Sequence, residues 1–256
     1  MDPIYGVAEA NRLKMELEKY IQILSGYSAC DISDALLKLK VPGAGFLADI
    51  GLHSPALSTL PLRSIFTTDG GRSTHRDTKP TIAPAHTVLF LPKTSPVPSA
   101  LPPSTHFADL TPPNTITVIS QPPNQRNAVL GGLVAARIKK LNGLGIVVDG
   151  RIRDVSELWG LSLKVWAKGT STVGAGGESK CVSVGEDIEV EGVKVSEGDI
   201  IFADPIDGVV SIPKDKLDAV IELLPKITRA DQKVRSDVMH EGSGLQEAFD
   251  KHRKGI

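Results

Sequence analysis

The stretch from Gly131 to Glu157 constrains the chain more than any other. An apolar helical pattern runs from Gly131-Gly132 to about Leu141, a β-branched run Gly145-Ile-Val-Val-Asp149 follows, and a dense run of charge, Asp149-Gly-Arg-Ile-Arg-Asp-Val-Ser-Glu157, comes next. A short, continuous apolar run bounded by glycine reads as a buried strand rather than a half-exposed one. This predicts a helix feeding a buried strand, a tight turn at Asp149-Gly150, and polar groups presented to a crevice at the strand's end.

The flanking sequence fills in a mixed α and β fold. Leu13, Leu17, Ile21 and Leu24 recur at helical spacing and predict a helix over 8–24. Asp31 followed by Ile32, Ala35, Leu36 and Leu39 predicts a second helix, capped by Asp31 and ended by Val41-Pro42-Gly43. Strands are expected at 86–92 and, from period-two alternation, at 115–119. More are expected at 164–168, 188–195, 199–203 and 208–212, with turns at Glu191-Gly192, Glu197-Gly198 and Asp207-Gly208. Helices over 214–224 and 230–240 close the chain, and 241–256 reads as a polar, frayed tail. Residues 93–113 carry six of the 18 prolines and predict an irregular surface excursion, of a length that is often functional or an oligomer contact. No internal repeat is present, and one principal domain over 1–256 is expected.

Charge narrows the partners. Twenty-nine Lys and Arg stand against 30 Asp and Glu, so no global field favours nucleic acid, and a small molecule or a protein is expected instead. The only cysteines, Cys30 and Cys181, supply neither a disulfide framework nor a four-thiolate metal site, which fits a reducing compartment. Nothing approaches the roughly 20 apolar residues of a membrane span, and a cytoplasmic location is expected.

Several residues could carry chemistry. Gly131-Gly132 before Leu133 and Val134 would open a helix N-terminus to a carboxylate or phosphate, or be a plain loop-to-helix junction. Asp154 and Glu157 share a helix face, with Arg153 pointing elsewhere and able to reach ligand oxygens. The competing interpretation is a cap: Asp154 as N-cap with Glu157 three residues on. The six histidines stand singly, at 53, 75, 86, 106, 240 and 252, and His106 suits a surface or interface role. Lys168 could form a Schiff base if desolvated, or simply be solvated. Ser171, Ser179 and the glycine-rich 173–177 match no nucleophile elbow or phosphate loop.

Taken together, Gly132, twenty residues, Arg153-Asp154, two residues and Glu157 resemble the signature of the RraA-like family, which includes 4-hydroxy-4-methyl-2-oxoglutarate aldolases. Cys30-Asp-Ile-Ser-Asp-Ala-Leu36, Val165-Trp-Ala-Lys-Gly-Thr-Ser171, Val195-Ser-Glu-Gly-Asp-Ile-Ile-Phe-Ala-Asp204 and Gly208-Val-Val-Ser-Ile-Pro213 are similar to it in order and spacing, covering about 20–240. The resemblance implies a swivelling β/β/α sandwich-type fold with flanking helices, assembled as homotrimers or hexamers with active sites at subunit interfaces. It implies a lyase that releases pyruvate from such keto acids, with oxaloacetate decarboxylation through the same enolate. By position, Asp154 would ligate Mg²⁺ or Mn²⁺, Arg153 would contact substrate oxygens, and the amides at Leu133 and Val134, beside Gly131 and Gly132, would hold the pyruvyl carboxylate. A single aspartate suits Mg²⁺, which keeps several waters, better than zinc. Some aldolases of the family have an acidic residue where this chain has Gly132, so decarboxylation is expected to outrun aldol cleavage here. Glu157 is a supporting candidate, and Asp231 is the match for an acidic group expected from the neighbouring subunit. The family also includes regulators that bind a ribonuclease without chemistry; retention of Arg153-Asp154 favours the enzyme.

Overall fold

The computed structural model describes residues 3–55, 62–66, 72–76 and 78–256; the side chains of Leu13 and His75 lie outside the described residues. Helices α1 (Pro3–Leu24) and α2 (Ala29–Lys38) lead to strands β1 (Phe46–Leu47) and β2 (Gly51–Ser54), the hairpin of β3 (Leu62–Phe66) and β4 (Arg72–Arg76), and the long strand β5 (Thr81–Pro92). Beyond the proline-rich loop come β6 (Ile116–Ser120), α3 (Gly132–Lys140), β7 (Gly145–Ile152), α4 (Val155–Gly160) and β8 (Lys164–Thr170). Then follow β9 (Ser179–Val184), β10 (Ile188–Val190), β11 (Val193–Val195), β12 (Ile200–Asp204), β13 (Gly208–Ile212), α5 (Leu217–Ser236) and α6 (Leu245–His252). No helix among the described residues is long and apolar enough to cross a membrane.

One mixed sheet runs β1-β13-β12-β5-β6-β7-β8-β2, with β9 also paired to β5. Strand β5 joins two halves: residues 81–84 pair antiparallel with β12, and 85–89 pair parallel with β6. The parallel strands β6, β7 and β8 are covered on both faces. Ile146 and Val148 of β7 pack among Phe90, Ile119 and Ile138, whereas Val147 faces the opposite cluster with Trp166, Val190 and Val195. Successive side chains point to opposite faces, so a strand covered on both is buried along its length and largely apolar rather than alternating. This holds for β6 as well: its Thr-Ile alternation is not an in-out pattern, because Thr117 is as buried as Ile116 and Val118. A third cluster, including Leu24, Ile32, Leu36, Phe202 and Leu224, packs α1, α2 and α5 against β12 and β13. Burying each such side chain contributes about 1.5–3 kcal/mol.

Four local expectations are corrected. The N-cap of α2 is Ser28, whose Oγ accepts from Asp31 N at 3.1 Å while Asp31 Oδ2 accepts from Ser28 N at 2.8 Å; Asp31 completes a reciprocal box rather than capping alone. Asp149-Gly150 is no turn, because β7 continues to Ile152 through a register shift between Val148 and Arg151. Gly150 has φ 156°, and Gln121 Oε1 lies 2.1 Å from where its Cβ would stand, so only glycine fits this bulge. The two expected C-terminal helices are one, α5, with Pro225 inside; Val220, Leu224, Ile227 and Val234 bury a continuous face on both sides of it and outweigh the lost backbone bond. The tail also folds: α6 docks where buried Asp237 accepts from Lys251 Nζ and meets His252 Nε2, each at 2.8 Å.

Candidate active site

The two halves of the Gly132 and Arg153-Asp154 motif meet because backbone bonds join them. Leu130 bridges Ile152, Val129 N donates to Arg151 O at 2.9 Å, and Arg153 N donates to Leu130 O at 2.9 Å. The segment entering α3 is thereby laid along the end of β7. Gly131, extended and without a side chain, caps α3 with nothing. Gly132 N finds an acceptor in Asp154 Oδ2 at 3.2 Å, whereas the amides of Leu133 and Val134 have none among the described residues. Two open donors at the positive end of a helix dipole form a ready seat for a carboxylate.

Asp154 precedes α4 with φ 57° and ψ 40°, a left-handed conformation that aspartate tolerates better than most residues, and its side chain makes no bond to α4. The capping interpretation therefore fails. Glu157 does not cap either: its amide bonds the main-chain oxygen of Asp154 at 2.9 Å, and its carboxylate swings over Gly132. A Cβ on Gly132 would fall 1.9 Å from Glu157 Oε2 and 3.0 Å from Glu157 Cβ. Glu157 thus stands where an acidic side chain from position 132 would begin. Arg153 Nε lies 3.5 Å from Asp154 Oδ2 in a half-exposed pair, and its guanidinium rests against Gly131 and Gly174.

Arg153, Asp154, Gly131, Leu133 and Val134 line a cavity of about 590 Å³ together with part of the proline-rich loop. The sequence reading of 93–113 as a surface excursion of a length that is often functional did not place residues 101–107, His106 included, at this cavity, which they line. The density of proline was the one available signal, since a stiff loop holds a shape. Cys181 also lines the cavity, with burial pushing its thiol up to about 12, so it is an inert wall.

Other candidates lie apart. Lys168 Nζ pairs with Asp149 Oδ1 at 2.5 Å and with Glu191. Desolvation would lower its pKa, but the bonds from these two carboxylates outweigh it and raise the ammonium, the opposite of what a Schiff-base lysine needs. Asp231 pairs with Arg253 Nε at 2.6 Å near Asp34 and Ile256, outside the Arg153 cavity. Among the described residues no group of three or more His, Cys, Asp or Glu could hold a metal. Asp154 Oδ1 has no hydrogen bond among the described residues, so one carboxylate oxygen at the cavity is open and could take a divalent cation. That suits a hard cation that retains most of its waters.

A family described as RraA-like, Aldolase/RraA, matches residues 29–211. Protein DlpA of Legionella pneumophila is 28% identical over 169 residues, 65% of this chain and 27% of DlpA. A Halalkalibacterium halodurans protein provisionally named 4-hydroxy-4-methyl-2-oxoglutarate aldolase is 32% identical over 123 residues, 48% of this chain and 57% of that protein. The matched part thus spans between about a quarter and just over half of these curated relatives. Among solved structures, a Pseudomonas syringae pv. tomato protein superposes with a TM-score of 0.66 at 17% identity, covering 90% of this chain and 96% of that one. Streptomyces coelicolor RraAS2, described as an unusual member of the RNase ES inhibitor RraA family, gives 0.63 at 20% identity, covering 84% and 94%. Both show the same fold. With 29–211 matched and the motif residues gathered at one cavity, the chain belongs to the RraA-like family, which includes both aldolases and non-catalytic regulators.

Proposed function

We propose that this protein is a divalent-metal-dependent carbon-carbon lyase that releases pyruvate from 4-hydroxy-4-methyl-2-oxoglutarate-type keto acids and decarboxylates oxaloacetate. The observation that carries the reading is Asp154: its carboxylate is released from capping duty and set beside Arg153 and two open helix amides. In this reading the substrate's 1-carboxylate accepts from the amides of Leu133 and Val134. Arg153, a planar fork of donors, binds the keto oxygen and stabilises the negative charge that gathers there as the C3–C4 bond breaks. In aldol cleavage the 4-hydroxyl loses its proton and becomes a carbonyl; in decarboxylation the C4 carboxylate leaves as CO₂. Either way the pyruvate enolate takes up a proton at C3. Asp154 would hold Mg²⁺ or Mn²⁺, which when bound supplies Lewis-acid polarisation of the keto group. The active assembly is a homotrimer or hexamer, in which a neighbouring protomer supplies a further acidic group; Asp231 is the candidate for it.

Pyruvate release from a small keto-acid panel tests this. EDTA should abolish it and Mg²⁺ or Mn²⁺ restore it. Asp154→Asn should lose both activity and Mn²⁺ binding, the latter read by electron paramagnetic resonance, while its circular dichroism stays unchanged. Undiminished Mn²⁺ binding in that variant would remove Asp154 as the ligand.

A further inference from the structure

The Arg153 guanidinium, on which the proposed chemistry leans, is held by almost nothing polar. Among the described residues its one polar contact is Asp154 Oδ2, 3.5 Å from Nε. Packing sets its place instead. A Cβ on Gly131 would stand 3.1 Å from Arg153 Nε and one on Gly174 2.9 Å from Nη1, so the fork lies between two bare backbones. Gly131 is fixed by the bonds that lay its segment along β7. Gly174 needs a support of its own, because it opens the glycine-rich 173–177, whose one 3-10 turn has little conformational preference to hold it.

That support is a buried pair of amides. Asn127, fully buried, donates from Nδ2 to Ala175 O at 3.3 Å and to Ser179 Oγ at 2.9 Å. A carbonyl oxygen only accepts, so the nitrogen of this amide must face Ala175. Next to it Ala128 N donates to Val173 O at 2.7 Å, and Ser179 Oγ donates in turn to Gln125 Oε1. Gln121, the second amide, donates from Nε2 to Asn127 O at 2.8 Å and accepts Arg151 N on Oε1 at 2.9 Å.

Gln121 thus holds the strand that bears Arg153, and Asn127 holds the turn against which its guanidinium rests. Among the described residues none of these side chains has a buried polar atom without a partner. Such a network keeps one arrangement, since a member that moves leaves a buried group unpaired.

We propose that Asn127 and Gln121 are positioning residues, which aim the Arg153 guanidinium at the enolate oxygen by fixing Gly174 and the β7 bulge on either side of it. Neither lines the cavity. This positioning rests on the preceding assignment of the enolate to Arg153, and it gives 173–177 its role as the seat of the fork. The contact strengthens only as charge gathers on the keto oxygen, so a misplaced fork lowers kcat and leaves KM nearly unchanged.

The test compares Asn127→Leu and Gly174→Ala, each alone and each combined with Arg153→Lys. Leucine matches asparagine in branching and lacks its amide. Gly174, at φ −77° and ψ 165°, accepts a Cβ without backbone strain, and that methyl meets only the far end of the Arg153 side chain. Two readouts on the Mg²⁺-loaded protein are kcat for pyruvate release and calorimetric binding of oxalate, a planar mimic of the pyruvate enolate. Each variant should lower kcat and weaken oxalate by about tenfold or more, with KM and the affinity for pyruvate changed by less than about threefold. Beside Arg153→Lys neither should have a further effect, because no fork remains to be aimed, whereas independent losses would multiply. Gly174→Ala carries the test by itself where Asn127→Leu does not fold. Wild-type kcat and oxalate affinity in Gly174→Ala or in a folded Asn127→Leu, or losses undiminished beside Arg153→Lys, overturn the proposal; so does a wild type that binds no oxalate. The expected oxalate pattern in a protein that releases no pyruvate from any keto acid would sink the lyase assignment and leave the positioning standing.

Discussion

At the scale of single residues, the site depends on close approach. Arg153 reaches its place because Gly131 and Gly174 offer no side chains against it, and its planar fork matches a keto acid's oxygens in a way an ammonium does not. Arg153→Lys should keep the fold and lower kcat by on the order of a hundredfold or more, measured as pyruvate release. Under the proposed function an acidic residue at position 132 would favour aldol cleavage over decarboxylation, but the structure adds a condition. Glu157 Oε2 stands 1.9 Å from the Cβ that Gly132→Asp would bring, and two carboxylates there would also repel. The single variant should therefore lose stability, seen as a lower Tm. Gly132→Asp combined with Glu157→Ala should recover it and raise the ratio of aldol cleavage to decarboxylation above the wild-type value. An unaltered ratio in the double variant would show that the base comes from elsewhere.

At the scale of elements, α6 is held through one buried carboxylate. Hydrogen bonds from Lys251 and His252 keep Asp237 below the usual aspartate range. A carboxyl depressed in the folded state stabilises that state above its unfolded pKa and loses the contribution as pH falls through the folded value. Since the unfolded value is about 3.9, docking of α6 should hold near neutrality and fail below about pH 4. Hydrogen exchange of the 245–252 amides across that interval measures it. Asp237→Asn should exchange fast at every pH, and slow exchange in that variant would place the anchor in the apolar contacts of α6 instead.

At the scale of the whole molecule, the mixed sheet buries β6, β7 and β8 on both faces, yet Leu37, Leu133, Trp159 and Ile206 remain exposed. Leu133, 85% exposed, lies at the cavity's edge, where a neighbouring protomer would cover it. Light scattering after gel filtration should give three or six times the 27.2 kDa of the chain. Leu133→Asp should shift the population toward monomer, and a monomeric wild type would remove the interface assignment.

The sequence by itself determined what depends on neighbours along the chain. Gly145-Ile-Val-Val-Asp149 reads as a buried strand, Gly131-Gly132 opens a helix without a capping side chain, and the spacing from Gly132 to Glu157 together with the motifs around it carried the family. Local rules failed where a distant group outbid a local partner. Asp154 and Glu157 have the spacing of a cap, yet Gly132, twenty-two residues earlier, takes the aspartate, and the glutamate swings to the same turn. Asp149-Gly150 has the composition of a turn, yet Gln121 Oε1 accepts from Arg151 N at 2.9 Å and keeps the strand running through a bulge. The place of the proline-rich loop at the Arg153 cavity was hidden for the same reason: prolines announce a stiff loop, but where it lies follows from carbonyls bound by Lys180 and from Phe107 against Phe90. Hydrogen bonds and burial that join residues far apart in the chain leave no period or spacing to read, so only the tertiary structure decided them.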